Sequence, residues 1–331
     1  MIAVEHVSKK YGDFLAVDDL TFTIEDGQIY GFLGPNGAGK STTLNIMTGC
    51  LAATSGHVRI DGLDIYEREK EAKKRIGYLP EIPPLYVDQT PREYLEFVAQ
   101  AKGLAKEERE RQITQVMEET HIEEMADRLI RHLSKGYRQR VGIAQALLGN
   151  PTVIILDEPT VGLDPAQILE IRQLIRELGK RHTVIFSSHI LSEVQAICQK
   201  VLILYKGKLA AFDEPESLSR SLSAGSGIAI LSRAGAEEIE TIVQQLPAIS
   251  KVEWKDGEEA KSTEAPAGRK DLPAGTLEAV LYTDAEEIYP VCEDIFRAFA
   301  AAGRPLLKLQ PLSAKLEDIF MELTEKEEEE K

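Results

Sequence analysis

The stretch Gly34–Ser41, Gly-Pro-Asn-Gly-Ala-Gly-Lys-Ser, constrains the fold of this chain more than any other feature. It fits the pattern G-x-x-x-x-G-K-[ST], in which the backbone N–H groups of a loop surround phosphate oxygens. Residues 28–33 before it predict a buried strand, and residues 41–47 after it predict a helix. The alternative is a glycine-rich turn that happens to contain a lysine, but the flanking strand and helix favour the phosphate loop.

A phosphate loop of this kind assigns chemistry to its residues. The glycines permit positive φ and a close approach to phosphate, and the helix N-terminus adds partial positive charge. We expect Lys40 to reach the β- and γ-phosphates of ATP and the Ser41 hydroxyl to ligate Mg²⁺. The loop residues expected to contact the nucleotide are Gly34, Pro35, Asn36, Gly37, Ala38, Gly39, Lys40, Ser41 and Thr42.

Composition excludes several classes of protein. A length of 331 residues predicts about two domains. The net charge of −16 argues against a surface made for nucleic acid. No apolar run approaches the roughly 18 residues that span a bilayer, and the first six residues lack the layout of a signal peptide. The three cysteines are widely spaced, which suggests neither a disulfide framework nor a zinc site.

The pattern of apolar residues predicts an α/β nucleotide-binding domain over residues 1–216. Its first 80 residues alternate short strands with turns, and Asp26-Gly27 and Asp61-Gly62 are both typical of hairpins. A helical subdomain is predicted at about 82–150.

Within and after this helical subdomain the local signals are clear. Thr90-Pro91-Arg92-Glu93 is a capping box that begins an amphipathic helix. The uninterrupted apolar runs at 153–156 and 183–186 predict parallel strands, joined by a helix at 168–178.

Residues 217–331 predict a smaller α+β domain with an acidic tail. The order of its apolar segments is β-α-β-β-α-β, which is that of a ferredoxin-like unit. Residues 255–275 are rich in Gly, Pro and charge and predict an exposed connection. Leu316, Ile319, Phe320 and Leu323 predict a last amphipathic helix.

Two neighbouring carboxylates end one of the predicted strands. Asp157 and Glu158 directly follow the apolar run at 153–156. Asp157 suits a Mg²⁺ partner, and Glu158 is placed to polarise an attacking water. The alternative is that two acids merely end a buried strand in solvent. A phosphate loop in the same chain favours the catalytic interpretation.

The segment Leu133–Arg140, Leu-Ser-Lys-Gly-Tyr-Arg-Gln-Arg, decides between families of phosphate-loop proteins. Ser134 suits a helix N-cap and Gly136 permits close backbone approach, so a second phosphate-facing helix N-terminus is predicted. Alone, the segment is only a capped helix. Because it precedes Asp157-Glu158 in a chain with a phosphate loop, it resembles the signature of the ABC-type ATPases.

The resemblance covers roughly residues 1–216 and implies roles for further residues. Tyr11 lies where the family stacks an aromatic ring on adenine. The alternative is that Tyr11 is a surface tyrosine without a role in binding. Asp164 matches the D-loop, which communicates across a dimer. His189 matches the switch histidine that contacts the γ-phosphate. The alternative is a structural histidine, but the position of His189 after a predicted strand favours the functional role.

Glu81 departs from the commonest family pattern, which places a glutamine after the strand at 76–80. The resemblance implies that this position ligates Mg²⁺ and senses the membrane partner. A glutamate still ligates the metal but adds negative charge near the γ-phosphate. This variant resembles the branch that serves ABC-2-type exporters.

The resemblance implies an ATPase that uses ATP and Mg²⁺ and works as a homodimer. Ser134 and Gly136 of one copy would complete the nucleotide site of the other copy. Because no membrane span is predicted, the second partner would be a separate integral-membrane permease that docks at residues 83–86. The chain would then be cytoplasmic and peripheral at the inner face of the cell membrane.

Two other functions compete with the exporter ATPase. A non-transport ABC ATPase acting on a ribosome or DNA is disfavoured by the single phosphate loop and the acidic charge, so no nucleic-acid partner is expected. A P-loop kinase does not explain the segment Leu133–Arg140. The second domain either supports or regulates a homodimer, or its last helix simply covers its own sheet.

Overall fold

The structure is a computed structural model of the chain, and it describes residues 1–215, 217–218, 226–254, 276–283, 285 and 287–312. The chain divides into two compact units, Met1–Pro215 and Glu216–Lys331. The predicted connection at 255–275 and the predicted last helix and acidic tail lie outside the described residues. Over the ranges described, no helix is long and apolar enough to cross a membrane.

The first unit begins with an antiparallel sheet in the order β2-β1-β4-β5. Its strands are β1 (Ile2–Tyr11), β2 (Phe14–Ile24), β4 (Ser55–Ile60) and β5 (Leu63–Asp64). The predicted hairpin at Asp61-Gly62 is confirmed, because Ile60 pairs with Leu63. Both turn residues have positive φ, 49° and 78°, which matches the twist of the flanking strands.

The second sheet carries the predicted parallel strands in the order β10-β9-β3-β8-β7-β6. Its strands are β3 (Ile29–Leu33), β6 (Ile76–Leu79), β7 (Val153–Leu156), β8 (Thr183–Ser188), β9 (Lys200–Tyr205) and β10 (Lys208–Asp213). Only β10 runs antiparallel to its neighbour. Every residue of β3, β7 and β8 is buried, as expected for strands covered on both faces.

The predicted hairpin at Asp26-Gly27 is wrong. The strands before and after it, β2 and β3, belong to different sheets and do not pair. The turn is held by the second sheet instead, since the Gly27 N–H donates to Thr183 Oγ1 of β8 at 3.0 Å. The turn therefore passes the chain from one sheet to the next.

The predicted helical insertion lies between β6 and β7. It contains α3 (Pro91–Ala101), α4 (Lys106–Thr120), α5 (Lys135–Leu147) and the 3-10 turns Glu123–Met125 and Ile130–His132. The capping box is confirmed, with the Thr90 Oγ1 accepting from the Glu93 N–H and the Glu93 carboxylate accepting from the Thr90 N–H. The other helices of this unit are α1 (Lys40–Met47), α2 (Glu69–Lys73), α6 (Pro165–Leu178) and α7 (Leu191–Ile197).

One apolar core joins the two sheets of the first unit and encloses α1. It combines Leu20 and Phe22 of β2, Phe32 of β3, Leu44 of α1 and Ile155 of β7, which are all buried. Phe22 and Phe32 meet edge to face with ring centroids 5.7 Å apart. The helix that leaves the phosphate loop is thus fixed between the sheets.

The second unit has its own antiparallel sheet in the order β12-β13-β11-β14. Its elements are β11 (Ser226–Ser232), α8 (Ala236–Val243), β12 (Ile249–Trp254), β13 (Leu277–Thr283), α9 (Ile288–Ala301) and β14 (Leu306–Leu312). Both helices pack on one core with the sheet. The predicted β-α-β-β-α-β order and the central placement of β11 and β13 are those of a ferredoxin-like unit.

Lys102 connects two helices of the insertion. It follows α3, and its ammonium donates to three carbonyls at the end of α5, those of Gln145, Ala146 and Leu148, at 2.9, 3.2 and 2.7 Å. The last carbonyls of a helix have no partner within the helix and carry partial negative charge. A cation at this position therefore stabilises α5.

We predict that Lys102→Met lowers stability by about 1 kcal/mol and the melting temperature by about 2–4 °C, measured by thermal unfolding. Lys106→Met is the matched control. Lys106 is exposed at the start of α4, where a cation is unfavourable, so its removal should leave the melting temperature unchanged or slightly higher. Equal melting temperatures for the two variants would contradict this role of Lys102.

Candidate functional site

The predicted site residues of four strands meet at one edge of the second sheet. The phosphate loop follows β3, Glu81 follows β6, Asp157 and Glu158 follow β7, and His189 follows β8. These are carboxyl ends of parallel strands, where α/β proteins bind ligands. A cavity of about 490 Å³ at this edge is lined by Glu81, Glu158 and His189 together with Tyr11, Phe14, Ala16, Pro35, Asn36, Gly37, Gly39, Lys40, Ser41, Thr42 and Val161.

The phosphate loop is fixed by backbone from both sheets. Gly39 has a φ of 98°, and a Cβ there would lie 2.7 Å from the Ala16 carbonyl oxygen of β2. A Cβ on Gly34 would lie 2.5 Å from the Leu204 carbonyl oxygen of β9. Gly207 bridges the two sides, because its N–H donates to the Ala38 carbonyl and its carbonyl accepts from the Asp18 N–H. Only glycine fits at positions 34 and 39 of the loop.

Lys40 is buried at the start of α1, with 6% of its surface exposed. Its ammonium donates to the carbonyls of Gly34 and Pro35 at 2.8 and 3.3 Å, so the loop folds around its own lysine. The same nitrogen lies 3.5 Å from Glu158 Oε1. The loop therefore presents a cation and its backbone to the cavity, an arrangement that suits an anionic ligand.

Ser41 and Asp157 form a group of oxygen ligands that suits Mg²⁺. The Ser41 hydroxyl donates to Asp157 Oδ1 at 3.2 Å, and the exposed Glu81 lines the cavity beside Ser41. The described residues include no cluster of three or more His, Cys, Asp or Glu that would hold a metal ion alone. The serine hydroxyl and the neighbouring carboxylates suit Mg²⁺, which keeps several waters and binds through one or two carboxylates and substrate phosphates.

Glu158 and His189 are in direct contact. Glu158 Oε2 lies 2.9 Å from His189 Nδ1, which donates to the ionised carboxylate when the proton is on Nδ1. Glu158 is buried and has a φ of 47°, which is uncommon for a residue other than glycine. This backbone turn directs the carboxylate towards Lys40 and His189.

Ser187 is a site residue that the sequence did not predict. Its hydroxyl donates to Asp157 Oδ1 at 2.6 Å and accepts from the Glu158 N–H at 2.7 Å. It is fully buried at the end of β8, beside the residues that follow β7. One hydroxyl thus orients the Asp157 carboxylate and holds the backbone of Glu158.

Two aromatic rings lie at the open side of the cavity. Tyr11 and Phe14 are paired across the turn between β1 and β2, and they are 48% and 64% exposed. Lys9 Nζ lies 5.3 Å from the centre of the Tyr11 ring. The sequence predicts a role for Tyr11 but not for Phe14. An exposed phenylalanine beside a tight turn is the signal that would have found it.

Tyr78 of β6 contacts the helix that follows the phosphate loop. Burial raises the pKa of its phenol, and the negative charge of Asp157 raises it further, so the hydroxyl stays protonated. It donates to Asn45 Oδ1 of α1 at 3.2 Å. The hydrogen bond connects β6 to the helix that leaves the phosphate loop.

Ser134, Gly136 and Asp164 do not line this cavity. Ser134 is the N-cap of α5 and accepts from the Tyr137 N–H at 3.3 Å, as the sequence predicts. Asp164 is the N-cap of α6 and accepts from the Gln167 N–H at 2.9 Å. Gly136 packs directly on Gln167, because a Cβ there would lie 2.8 Å from its side chain. The three residues form a second group, at the adjoining starts of α5 and α6.

Comparisons with known proteins agree with this geometry. The family described as ABC transporter matches residues 17–161. The linearmycin resistance ATP-binding protein LnrL of Bacillus subtilis is 30% identical, and the alignment covers 98% of each chain. The chain belongs to the ABC transporter ATP-binding family.

Further similarities agree with this family. The bacitracin transport ATP-binding protein BcrA of Bacillus licheniformis is 41% identical to this ABC ATPase over 63% of the chain and 68% of its own length. A dimeric post-hydrolysis structure of the ATP-binding cassette MJ0796 with ADP and phosphate is 27% identical, with a TM-score of 0.59 over 65% of this chain and 98% of that one. This ABC ATPase thus binds and hydrolyses ATP.

We predict that Ser187→Ala reduces ATP hydrolysis by about tenfold to a hundredfold and raises the Mg²⁺ concentration needed for half-maximal rate. The substitution removes one of the two hydroxyl groups that donate to Asp157 Oδ1 and leaves the buried Glu158 N–H without its acceptor. Steady-state ATPase assays over a Mg²⁺ titration measure both effects.

Thr183→Val is the matched control for this variant. Thr183 lies on the same strand, is also buried, and its hydroxyl also accepts a backbone N–H, but at the opposite end of β8. It should lose stability without a change in Mg²⁺ requirement. An unchanged Mg²⁺ titration for Ser187→Ala would show that its hydroxyl does not orient the metal ligands.

Proposed function

We propose that this chain energises a separate membrane permease, of the ABC-2 exporter type, through ATP-driven closure of a homodimer. The position of Glu158 between Lys40 and His189 carries the hydrolytic part of this proposal. The exporter part is supported by relatives named for bacitracin transport and linearmycin resistance, and by a glutamate at position 81.

Hydrolysis needs a water held in line with the γ-phosphate and positive charge on its oxygens. Glu158 accepts a proton from that water, and its contact with His189 fixes the direction of the carboxylate. Lys40 neutralises phosphate charge. His189, when both of its ring nitrogens carry protons, donates from Nδ1 to Glu158 and from Nε2 to a phosphate oxygen. Ser41 and Asp157 would hold Mg²⁺, with Glu81 nearby, and the bound ion would supply further positive charge beside the phosphates. Tyr11 stacks on the adenine ring.

The dimer part of the proposal explains the second group of residues. Ser134, Gly136 and Asp164 lie at two adjoining helix N-termini away from the cavity of their own chain. Such termini attract anions. In a head-to-tail dimer they face the nucleotide of the other copy, so each ATP joins two chains. Residues 1–215 carry this ATPase, and we propose an accessory role for the second domain.

The permease docks at an exposed apolar patch of the helical insertion, which we define as Ile82, Tyr86 and Phe97. These side chains are 82%, 50% and 45% exposed. Tyr86 and Phe97 contact each other with ring centroids 5.1 Å apart. Exposed aromatic clusters of this kind are frequent centres of protein interfaces. Ile82 of this patch directly follows Glu81, which lines the cavity. We therefore propose that Glu81 couples the permease surface to the nucleotide site.

We predict that Glu158→Gln binds ATP with unchanged affinity but hydrolyses it about 10²–10⁴ times more slowly, because a neutral amide takes no proton from water. With hydrolysis slowed, the dimer should accumulate, which light scattering with and without ATP detects. Lys40→Ala is the control that should lose nucleotide affinity and stay monomeric. A Glu158→Gln protein with normal turnover would overturn the assigned role.

We predict that the double variant Ile82→Ser, Phe97→Ser loses copurification with its permease by about tenfold or more, since such contacts contribute on the order of 2 kcal/mol. The ATPase rate of the isolated chain should not change. Tyr289→Ser, which removes a 75% exposed ring from α9, is the control and should copurify normally. Normal copurification of the patch variant would place the docking surface elsewhere.

A further inference from the structure

Glu193 is a buried carboxylate next to the site but outside its cavity. It lies on α7 and is 1% exposed. Its Oε2 accepts two hydrogen bonds, from Thr160 Oγ1 at 2.7 Å and from Ser188 Oγ at 3.0 Å. Its other oxygen, Oε1, has no hydrogen-bond partner among the described residues. Burying a carboxylate is costly unless it is paired and hydrogen-bonded, so its presence here indicates a role other than stability.

The two hydroxyls belong to the two loops that carry the hydrolytic pair. Thr160 is two residues after Glu158 in the loop that follows β7. Ser188 directly precedes His189 at the end of β8. Glu158 and His189 come from different strands and meet at 2.9 Å. Glu193 therefore holds the same two loops together from the side opposite the cavity.

A third element reaches the same carboxylate. Arg172 of α6 places its guanidinium 3.6 Å from Glu193 Oε1 and compensates its charge. The loop that contains Thr160 continues to Asp164, the N-cap of α6. One side chain thus joins α6, α7 and both catalytic loops.

We propose that Glu193 is a positioning residue for ATP hydrolysis, which keeps the Glu158–His189 contact in its productive geometry. This inference rests on the proposed roles of Glu158 and His189. The rest of α7 needs no carboxylate for packing, since its other buried residues are Leu191, Val194 and Ile197. Replacing a buried ion pair by apolar residues is often neutral for stability, so a carboxylate at this position is better explained by orientation.

The test compares turnover with nucleotide affinity. Glu193→Ala should lower kcat by about tenfold or more, as loss of an orienting group does, and leave the Kd for ATP within about twofold, because the phosphate loop is untouched. Glu193→Gln keeps an acceptor oxygen for both hydroxyls and should recover most of the rate. Thr160→Val removes one donor and should lower kcat in the same direction, even if Glu193→Ala folds poorly.

A double-mutant cycle decides whether the effect passes through His189. In a His189→Ala background, Glu193→Ala should cost no more than about a further twofold, since the contact that it positions is already gone. Val194→Ala is the control, because Val194 is fully buried on the same helix but packs on Gly31 of β3. It should lower the melting temperature without changing kcat.

The outcomes separate this inference from the function on which it rests. Full activity of both Glu158→Gln and His189→Ala would refute the proposed site itself. If those variants are strongly slowed but still measurable and Glu193→Ala turns over normally, only the positioning role is wrong. The same conclusion follows if the effect of Glu193→Ala multiplies in full with that of His189→Ala.

Discussion

The buried contact between Lys40 and Glu158 joins the two halves of the nucleotide site. One half is the loop that follows β3, and the other follows β7, two strands away in the same sheet. A lysine that is 6% exposed requires partners, and it has two loop carbonyls and this carboxylate. The ammonium thereby closes the phosphate loop and fixes the position of the Glu158 carboxylate.

The end of β8 sets the geometry of the remaining residues. Successive side chains of a strand point to opposite faces, so Ser187 and Ser188 serve different sides of the site. Ser187 reaches Asp157 and the Glu158 N–H, whereas Ser188 reaches Glu193. Two adjacent hydroxyls thus hold the Asp157 carboxylate and the Glu158 backbone on one side and the Glu193 carboxylate on the other.

The sequence predicted the elements whose signals are local. The strand, loop and helix around Lys40 and the parallel strands β7 and β8 follow from apolar runs and a fixed loop pattern. The hairpin prediction at Asp26-Gly27 failed, because a turn pattern does not reveal which strand becomes the partner. Ser187 and Glu193 were missed for a related reason. Their importance arises from contacts between segments that are distant in sequence, and no pattern in a single sequence marks them.

The glycine contacts of the phosphate loop have a consequence for the interior of the first unit. Gly39 lies against the backbone of β2 and Gly34 against the backbone of β9, so the position of the phosphate loop depends on the spacing between two separate sheets. That spacing is maintained by the aromatic and aliphatic packing around Phe22 and Phe32. A larger or smaller side chain at either position would shift the loop and lower its affinity for the ligand. A core substitution far from the phosphates would therefore be observed as weaker binding.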